Sequence, residues 1–249
     1  MQGLKMIFRI KLFVLCVIMF LHSDATSQSL NVEVLNKMKT EINAGMVKIR
    51  NISALITNPE ASKPDAFLDD TWSAGTVYTK DNELISTMLR FNIQKKRMEV
   101  KVYNETRSLN VNRINGVVLN QRLFVPLKSG EDFDGTSPIY FEVLVNGELS
   151  LLNKFTLNLK KRGGSSLHPN LGTSDSFKIY KDLYYCVEKG NPMRLEKGKK
   201  KLLPKFGAME NEIESFADQN DFGFKKDKDI IVLFKQFNKL LPDQDNGVE

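Results

Sequence analysis

At 71–103 the chain reads TWSAGTVYTKDNELISTMLRFNIQKKRMEVKVY, and it goes on through RINGVVL at 113–119 to LFVP at 123–126. Apolar and polar residues alternate in short runs broken by turn residues, the period of two expected of antiparallel strands with one wet face. Ile85, Leu89, Phe91 and Ile93 point one way, with Thr87 among them, while Ser86, Arg90 and Asn92 point the other. Met98, Val100 and Val102 form a matching apolar side against Glu99, Lys101 and Tyr103. The pattern predicts strands over about 71–79, 83–93 and 97–103, with turns at 80–82 and 94–96. It describes a scaffold and carries no chemistry of its own.

Downstream, Asn115-Gly116 and Asn146-Gly147 both read as hairpin turns, because Asn and Gly tolerate the positive φ of a type I′ turn. The second would set Phe141 against Leu152, Val143 against Ser150 and Leu144 against Leu149. Both sides of that hairpin are partly apolar, so it belongs in a covered part of the sheet. Residues 177–180 and 183–187 return to strand character, with Cys186 read as a small buried apolar residue. Between them and the second hairpin lies a long loop at 161–175, KRGGSSLHPNLGTSD, of the length that is either functional or unstructured.

Upstream, Lys5, Arg9 and Lys11 precede the ten-residue apolar run LFVLCVIMFL at 12–21, and Ala25 and Ser27 supply small residues before Gln28. This is the pattern of a secretory signal peptide cleaved after Ser27. Ten apolar residues are too few for a membrane span, which needs about 20 to cross roughly 30 Å of hydrocarbon. Removal of residues 1–27 takes three cations and one anion from a net charge of +6, leaving +4. It also leaves one cysteine, Cys186, and one histidine, His168, so no internal disulfide is expected. In an exported protein a mild basic excess points to acidic glycans or lipid headgroups rather than nucleic acid.

Leu35, Met38, Ile42, Met46, Ile49, Ile52 and Ile56 recur at spacings of three and four, which predicts an amphipathic helix over 30–58 packed on the sheet; two short strands are the alternative. A proline-containing linker follows at 58–65. At the other end, Met209, Ile213, Phe216 and Ala217 mark one helix, and Asp227 opens a second that carries Ile230, Phe234, Phe237 and Leu241 and stops at Pro242. The expected organisation is a signal peptide at 1–27, an N-terminal segment and linker at 28–65, an antiparallel β domain at 66–195, a helical hairpin at 196–242 and an acidic tail at 243–249. The fold class is α+β: a barrel-like or sandwich-like antiparallel domain with a C-terminal two-helix hairpin and an N-terminal helix.

Several of these segments resemble a known pattern: FLDD at 67–70, GTVY at 75–78, LRFN at 89–92, MEV at 98–100, FEVLVNGELSLLNK at 141–154 and LYY at 183–185, with the closing helix pair. The chain is similar, over about 67–241, to an uncharacterised exported family of Bacteroidetes-type Gram-negative bacteria. The resemblance implies a periplasmic or outer-envelope location and this β architecture, and it implies no catalytic residues.

The chemistry-bearing residues are sparse. His168 is the only base for a nucleophilic triad, and its neighbours Ser165 and Ser166 lie in the same Gly-rich loop, without rigid positioning. One His and one Cys do not make a zinc site, and Gly163-Gly164 lacks the Lys-Ser/Thr of a phosphate loop. EDFDGT at 131–136 has some acids of a calcium loop but not its spaced third acid or distant Glu. Glu142 and Glu148 suggest a glycosidase pair, yet they fall on opposite sides of the expected hairpin. No cofactor or metal is expected.

The candidate binding residues are therefore basic: Lys161, Arg162 and His168 in the long loop, and Arg194, Lys197, Lys199, Lys200 and Lys201 in the run before the helices. The leading expectation is an exported, non-enzymatic binding or interaction protein whose partner is another envelope protein, an anionic glycan or a lipid headgroup. A carboxylate-dependent hydrolase of envelope glycan or lipid is the second reading. A carrier of a small apolar ligand is the third, and it needs a hollow barrel lined by residues such as Ile85, Leu89 and Phe91.

Overall fold

The structure, a computed structural model, describes residues 36, 37, 40, 52–57, 66–103, 105–128, 138–160, 176–187 and 190–241. Eleven strands make one antiparallel sheet: β1 (Ile56–Thr57), β2 (Ser73–Thr79), β3 (Leu84–Asn92), β4 (Arg97–Val102), β5 (Glu105–Leu109), β6 (Ile114–Leu119), β7 (Arg122–Leu127), β8 (Ile139–Val145), β9 (Leu149–Lys160), β10 (Ser176–Val187) and β11 (Met193–Arg194). Their order is β1-β5-β4-β3-β2-β6-β7-β8-β9-β10-β11. The chain walks outward from β2 to β5, returns through a one-turn 3-10 helix at Val111–Arg113, and pairs β6 with the free side of β2. From there it walks the other way to β11. The sheet does not close, so the expected α+β architecture holds with an open sheet in place of a barrel or sandwich.

The sheet is open yet strongly curled, and ring contacts show in which sense. Phe91 on β3 and Phe124 on β7 are three strand steps apart, about 14 Å in a flat sheet, yet their ring centroids are 5.6 Å apart. Phe155 on β9 is five steps from Phe91, about 24 Å if flat, and its ring lies 6.3 Å away. The face bearing Val77, Ile85, Leu89, Phe91, Val100, Val117, Phe124, Tyr140 and Phe155 is therefore the concave one, and these residues form its first apolar cluster. Burial of these side chains, at roughly 25 cal/mol per Å² of apolar surface, drives the curl.

The same concave face carries a second cluster. Leu149 and Leu151 of β9, Leu183 and Tyr185 of β10 and Val145 of β8 bury against three helices: α1 (Lys199–Leu202), α2 (Glu210–Gln219) and α3 (Asp227–Leu240). A 3-10 segment (Leu203–Met209) joins α1 to α2, with Gly207 at φ 54° allowing the bend. Phe206 meets Phe234 at 5.4 Å and Phe237 at 5.5 Å, locking α3 over the sheet. The convex face holds a third cluster that includes Tyr78, Leu84, Val125, Phe141, Leu152, Tyr184 and Cys186.

The expected strand faces hold, but several boundaries differ for identifiable reasons. Neither Asn-Gly pair forms a type I′ turn. Asn115 and Gly116 lie inside β6, where Asn115 Nδ2 donates to Thr79 O at 3.0 Å beside a break in register. The turn falls instead at Asn120 and Gln121, both at positive φ (49° and 62°). In the β8–β9 hairpin Val143 sits opposite Leu152, not Ser150, with a bulge before Val145. Ser150 Oγ donates to Gly147 O at 2.9 Å, and the Asn238 amide brackets Leu149, accepting from its N at 3.1 Å and donating to its O at 2.9 Å. A side chain 89 residues away thus holds a wider turn.

The two short strands expected at 177–180 and 183–187 are one strand, because Asp182 is paired in place, accepting from Thr156 Oγ1 at 3.3 Å and Arg194 Nη2 at 2.9 Å. Residues 105–109 add a strand, β5, where no strand was expected. Asn36, Lys37 and Thr40 are helical, but Ile52–Leu55 is a 3-10 turn that leads into β1, so no helix runs on to residue 58. The rest of that segment, the signal peptide, the linker and the acidic tail lie outside the described residues.

Candidate functional site

On β7 to β10, strand alternation places apolar residues along the concave face except in one row. On β7 the row is Arg122, beside Phe124; on β8 it is Glu142, beside Tyr140; on β9 it is Asn153, between Leu151 and Phe155; on β10 it is Lys181, two positions before Leu183. This polar belt crosses four neighbouring strands and separates the first apolar cluster from the helix-covered second one. Departures from apolar patterning in a core are costly, so they concentrate where a protein does something.

Glu142 is the centre of the belt. Arg122 donates to its carboxylate from Nε at 2.6 Å and Nη2 at 3.0 Å, a bidentate fork. Asn153 Nδ2 donates to Oε2 at 2.8 Å from directly across the β8–β9 ladder. Burial alone would raise the Glu142 pKa. The bonds from Arg122 and Asn153 and the charges of Arg122 and Lys181 outweigh it and hold the carboxyl below the usual glutamate range. Glu142 therefore stays ionised at neutral pH and has no proton to give.

A pH consequence follows. Because the folded pKa lies below the unfolded one, the ionised Glu142 contributes stability that is complete above the unfolded value, about 4.3, and is lost as pH falls through the folded value. Replacing Glu142 by Gln should flatten the acid limb of a urea-unfolding pH series below about pH 4.5 relative to the parent. Parallel acid limbs in parent and variant would contradict this assignment.

Two cations share one ring. Arg122 Cζ lies 5.0 Å from the Phe155 centroid and Lys181 Nζ lies 6.0 Å from it. Arg122 and Lys181 thus flank a single carboxylate, and the belt carries one positive charge in excess. The belt reaches solvent at both ends: the Arg122 side chain is 28% exposed and Lys181 is exposed, with no ion-pair partner among the described residues. Among the buried side-chain polar atoms without partners in the described residues are Asn153 Oδ1, in the belt, and the Tyr140 hydroxyl, on the same face of β8 as Glu142; their residues are 2% and 3% exposed. Burial pushes the Tyr140 phenol above the usual tyrosine range, so it remains a proton donor.

A second buried polar cluster lies on the convex face at the β3–β4 hairpin. Glu99, 1% exposed, accepts from Arg90 Nη2 at 2.9 Å, Asn92 Nδ2 at 3.0 Å and Arg97 Nε and Nη2 at 3.3 and 3.2 Å. Arg90 also stacks over Phe67 at 3.4 Å and Trp72 at 4.5 Å. Those contacts, with Leu68 N donating to Phe91 O at 2.9 Å, bind the lead-in segment to the sheet, so the cluster is a structural staple.

The residues expected from sequence sit elsewhere. Arg194, Lys197, Lys199, Lys200 and Lys201 run from β11 into α1, and acids of the same region pair with four of them. Arg194 pairs with Asp182 at 2.9 Å, Lys197 with Asp227 at 2.5 Å, Lys199 with Glu214 at 2.8 Å and Lys201 with Glu196 at 2.9 Å. The bond from Lys201 lowers the pKa of Glu196, and the bond to Glu214 raises that of Lys199. Lys200 is exposed on the same turn. The run therefore ties α1 to its neighbours. Lys161, Arg162 and His168, and the acids of 131–136, lie outside the described residues.

Glu142 is in the belt and Glu148 is at the exposed β8–β9 turn, so the structure does not unite them as a pair. Among the described residues no group of three or more His, Cys, Asp or Glu is placed to hold a metal, and no helix is long and apolar enough to cross a membrane. The belt was missed because Arg122 and Glu142 lie 20 residues apart on separate strands. The signal present was a carboxylate embedded in the apolar run FEVLV, which demands a buried partner. Compared with known protein families, with curated proteins and with solved structures, the chain matches none.

Proposed function

We propose that this chain is an exported, non-enzymatic binding protein of the bacterial envelope that takes an anionic ligand at the polar belt. The observation that carries the reading is the excess cation: Arg122 and Lys181 flank the single carboxylate of Glu142 on the ring of Phe155, and both reach solvent. An incoming carboxylate or phosphate completes the charge balance, with the free N–H groups of Arg122 and the Lys181 ammonium as donors. A hydrolase needs a carboxyl that holds its proton near neutral pH, whereas Glu142 is kept ionised. An apolar-ligand carrier needs space along Leu89 and Phe91, and both side chains are buried, with the Phe91 ring packed against Phe124, Tyr140 and Phe155.

Expressed from its own start in a Gram-negative host, the chain should be recovered from the envelope fraction beginning at Gln28. By calorimetry it should bind acidic oligosaccharide saturably and less tightly as salt rises. Lys181→Gln, at an exposed position, should weaken that binding about 5- to 20-fold, the equivalent of about 1 to 2 kcal/mol for one charge-assisted contact, without altering the circular dichroism spectrum. Recovery of an uncleaved cytoplasmic chain would end the export reading, and the absence of any salt-sensitive anion binding would end the belt reading.

A further inference from the structure

We propose that the open edge of β10 over 176–182 is a docking site for an extended, acidic strand of another protein, which joins the sheet there by main-chain hydrogen bonds. This site does not depend on the belt. β11 covers the outer side of β10 only at Tyr184 and Tyr185, with Leu195 N donating to Leu183 O at 2.8 Å. β9 in turn pairs with β8 only as far as Asn153. Beyond these points 154–160 and 176–182 form a two-stranded ribbon, paired residue for residue with each other and, among the described residues, with no other strand. Successive residues of an antiparallel strand turn their backbone groups to alternate sides. Leu183 faces β11 and the register with β9 is unbroken, so Phe177, Ile179 and Lys181 turn their N–H and C=O groups to the open side. Phe155 of β9 is buried in the first apolar cluster and Leu157 packs against it, so the ribbon is anchored and its edge is ready-formed.

An unpaired edge recruits other strands, and proteins guard theirs with prolines, bulges or lysines. The stretch SFKIYKD at 176–182 has no proline and no shift of register. Its guards are Lys178 and Lys181, both exposed and, by strand alternation, on opposite faces of the ribbon. They make a copy of the same edge a poor partner, because like charges gather along the shared seam. An acidic strand is favoured for the same reason. Between the lysines, Ile179 and Tyr180 are 38% and 42% exposed, and Lys178 Nζ lies 5.1 Å from the Tyr180 ring. A guard alone has no use for exposed apolar side chains. A strand with apolar residues between two acids matches the row at each of these positions. Main-chain bonds then supply the attraction and the side-chain pairs the selectivity.

The probe is a capped hexapeptide, Thr-Glu-Val-Val-Glu-Thr, whose palindromic order sets acids against Lys178 and Lys181 whichever way it runs; its Lys-for-Glu analogue is the control. Titrated into the full chain, the Glu peptide should bind about 10-fold more tightly than the analogue. Near saturation it should slow amide exchange at Ile179 and Lys181 about 10-fold, and leave Lys178 and Tyr180, whose N–H groups face β9, unchanged. Ile179→Pro removes an outward N–H and no bond to β9, a place where an edge strand accepts proline. It should weaken the Glu peptide about 10-fold and leave the binding of acidic oligosaccharide at the belt as it was. Lys178→Glu keeps every backbone group and should bring the two peptides to within about 3-fold of each other. This variant and the exchange pattern carry the test should the proline variant misfold. Binding of the Glu peptide without slowed exchange at Ile179 and Lys181, or with a folded Ile179→Pro indifferent, would overturn strand addition and leave only surface charge. Equal binding of the two peptides would overturn the acidic selection, and binding of neither would overturn the docking site; the belt reading stands in both cases. Dimerisation seen by sedimentation and abolished by Ile179→Pro would assign the edge to a second copy and overturn the acidic partner.

Discussion

Glu99→Ala is expected to be among the most destabilising single substitutions in this protein, at about 3 to 5 kcal/mol, because it removes one partner of a buried ion network and leaves the others behind. Glu99 receives four N–H bonds from Arg90, Asn92 and Arg97, and the side chains of the two arginines are each only 17% exposed. With the carboxylate gone, two guanidinium groups face each other without an anion between them. Arg90 is held over Phe67 and Trp72 and cannot turn to solvent without breaking that stack. For a domain of this size each kcal/mol is about 2 to 4 °C, so the melting temperature should fall by roughly 6 to 20 °C. Lys101→Ala, on the same strand but exposed, should change stability by about 0.5 kcal/mol or less. Urea unfolding followed by circular dichroism decides the matter: a cost for Glu99→Ala under about 1 kcal/mol would mean that the network is not what secures this edge of the sheet.

Phe234→Ala should cost a comparable amount, about 3 to 5 kcal/mol, but at the other end of the molecule and with a different pattern. Phe234 is fully buried between the helices and the sheet and meets Phe206 ring to ring. It belongs to the cluster on the helix side of the polar belt, and none of its cluster partners belongs to the cluster inside the curl. Amide hydrogen exchange should therefore show protection falling first in α1, α2 and α3, while β2, β3, β6 and β7 exchange at close to parental rates. Equal loss of protection across all of these elements would show that the two clusters unfold as one and that the belt does not partition them.

The strands of β2, β3 and β4 were legible because alternation is a local property: each residue pair faces opposite sides whatever the strand's neighbours are. The same holds for α2 and α3, whose apolar spacing reads directly as Ile213 with Ala217 and Ile230 with Phe234. Turns were less legible. Asn-Gly favours a tight hairpin in isolation, yet Asn115 satisfies Thr79 O from within a strand and Asn238 of α3 enforces a wider turn after β8. Gln121 takes the left-handed conformation that Gly116 was expected to supply. In each case a contact remote in sequence outweighed about 1 kcal/mol of local preference.

The candidate site was harder still. Positive charge drew attention to Arg194, Lys197, Lys199 and Lys201, where charges are dense in the chain, but their neighbouring acids already pair with them. Arg122, Glu142, Asn153 and Lys181 are isolated residues on four separate strands, each unremarkable in its own run. Period and composition alone settled that this chain forms amphipathic strands and a closing helix pair, since burying one face of each element is enforced residue by residue along the backbone. Which strands become neighbours, how far the sheet curls, and that one Arg, one Glu, one Asn and one Lys meet in a row are decided only on folding, because those contacts depend on the shared burial of segments that carry no record of one another.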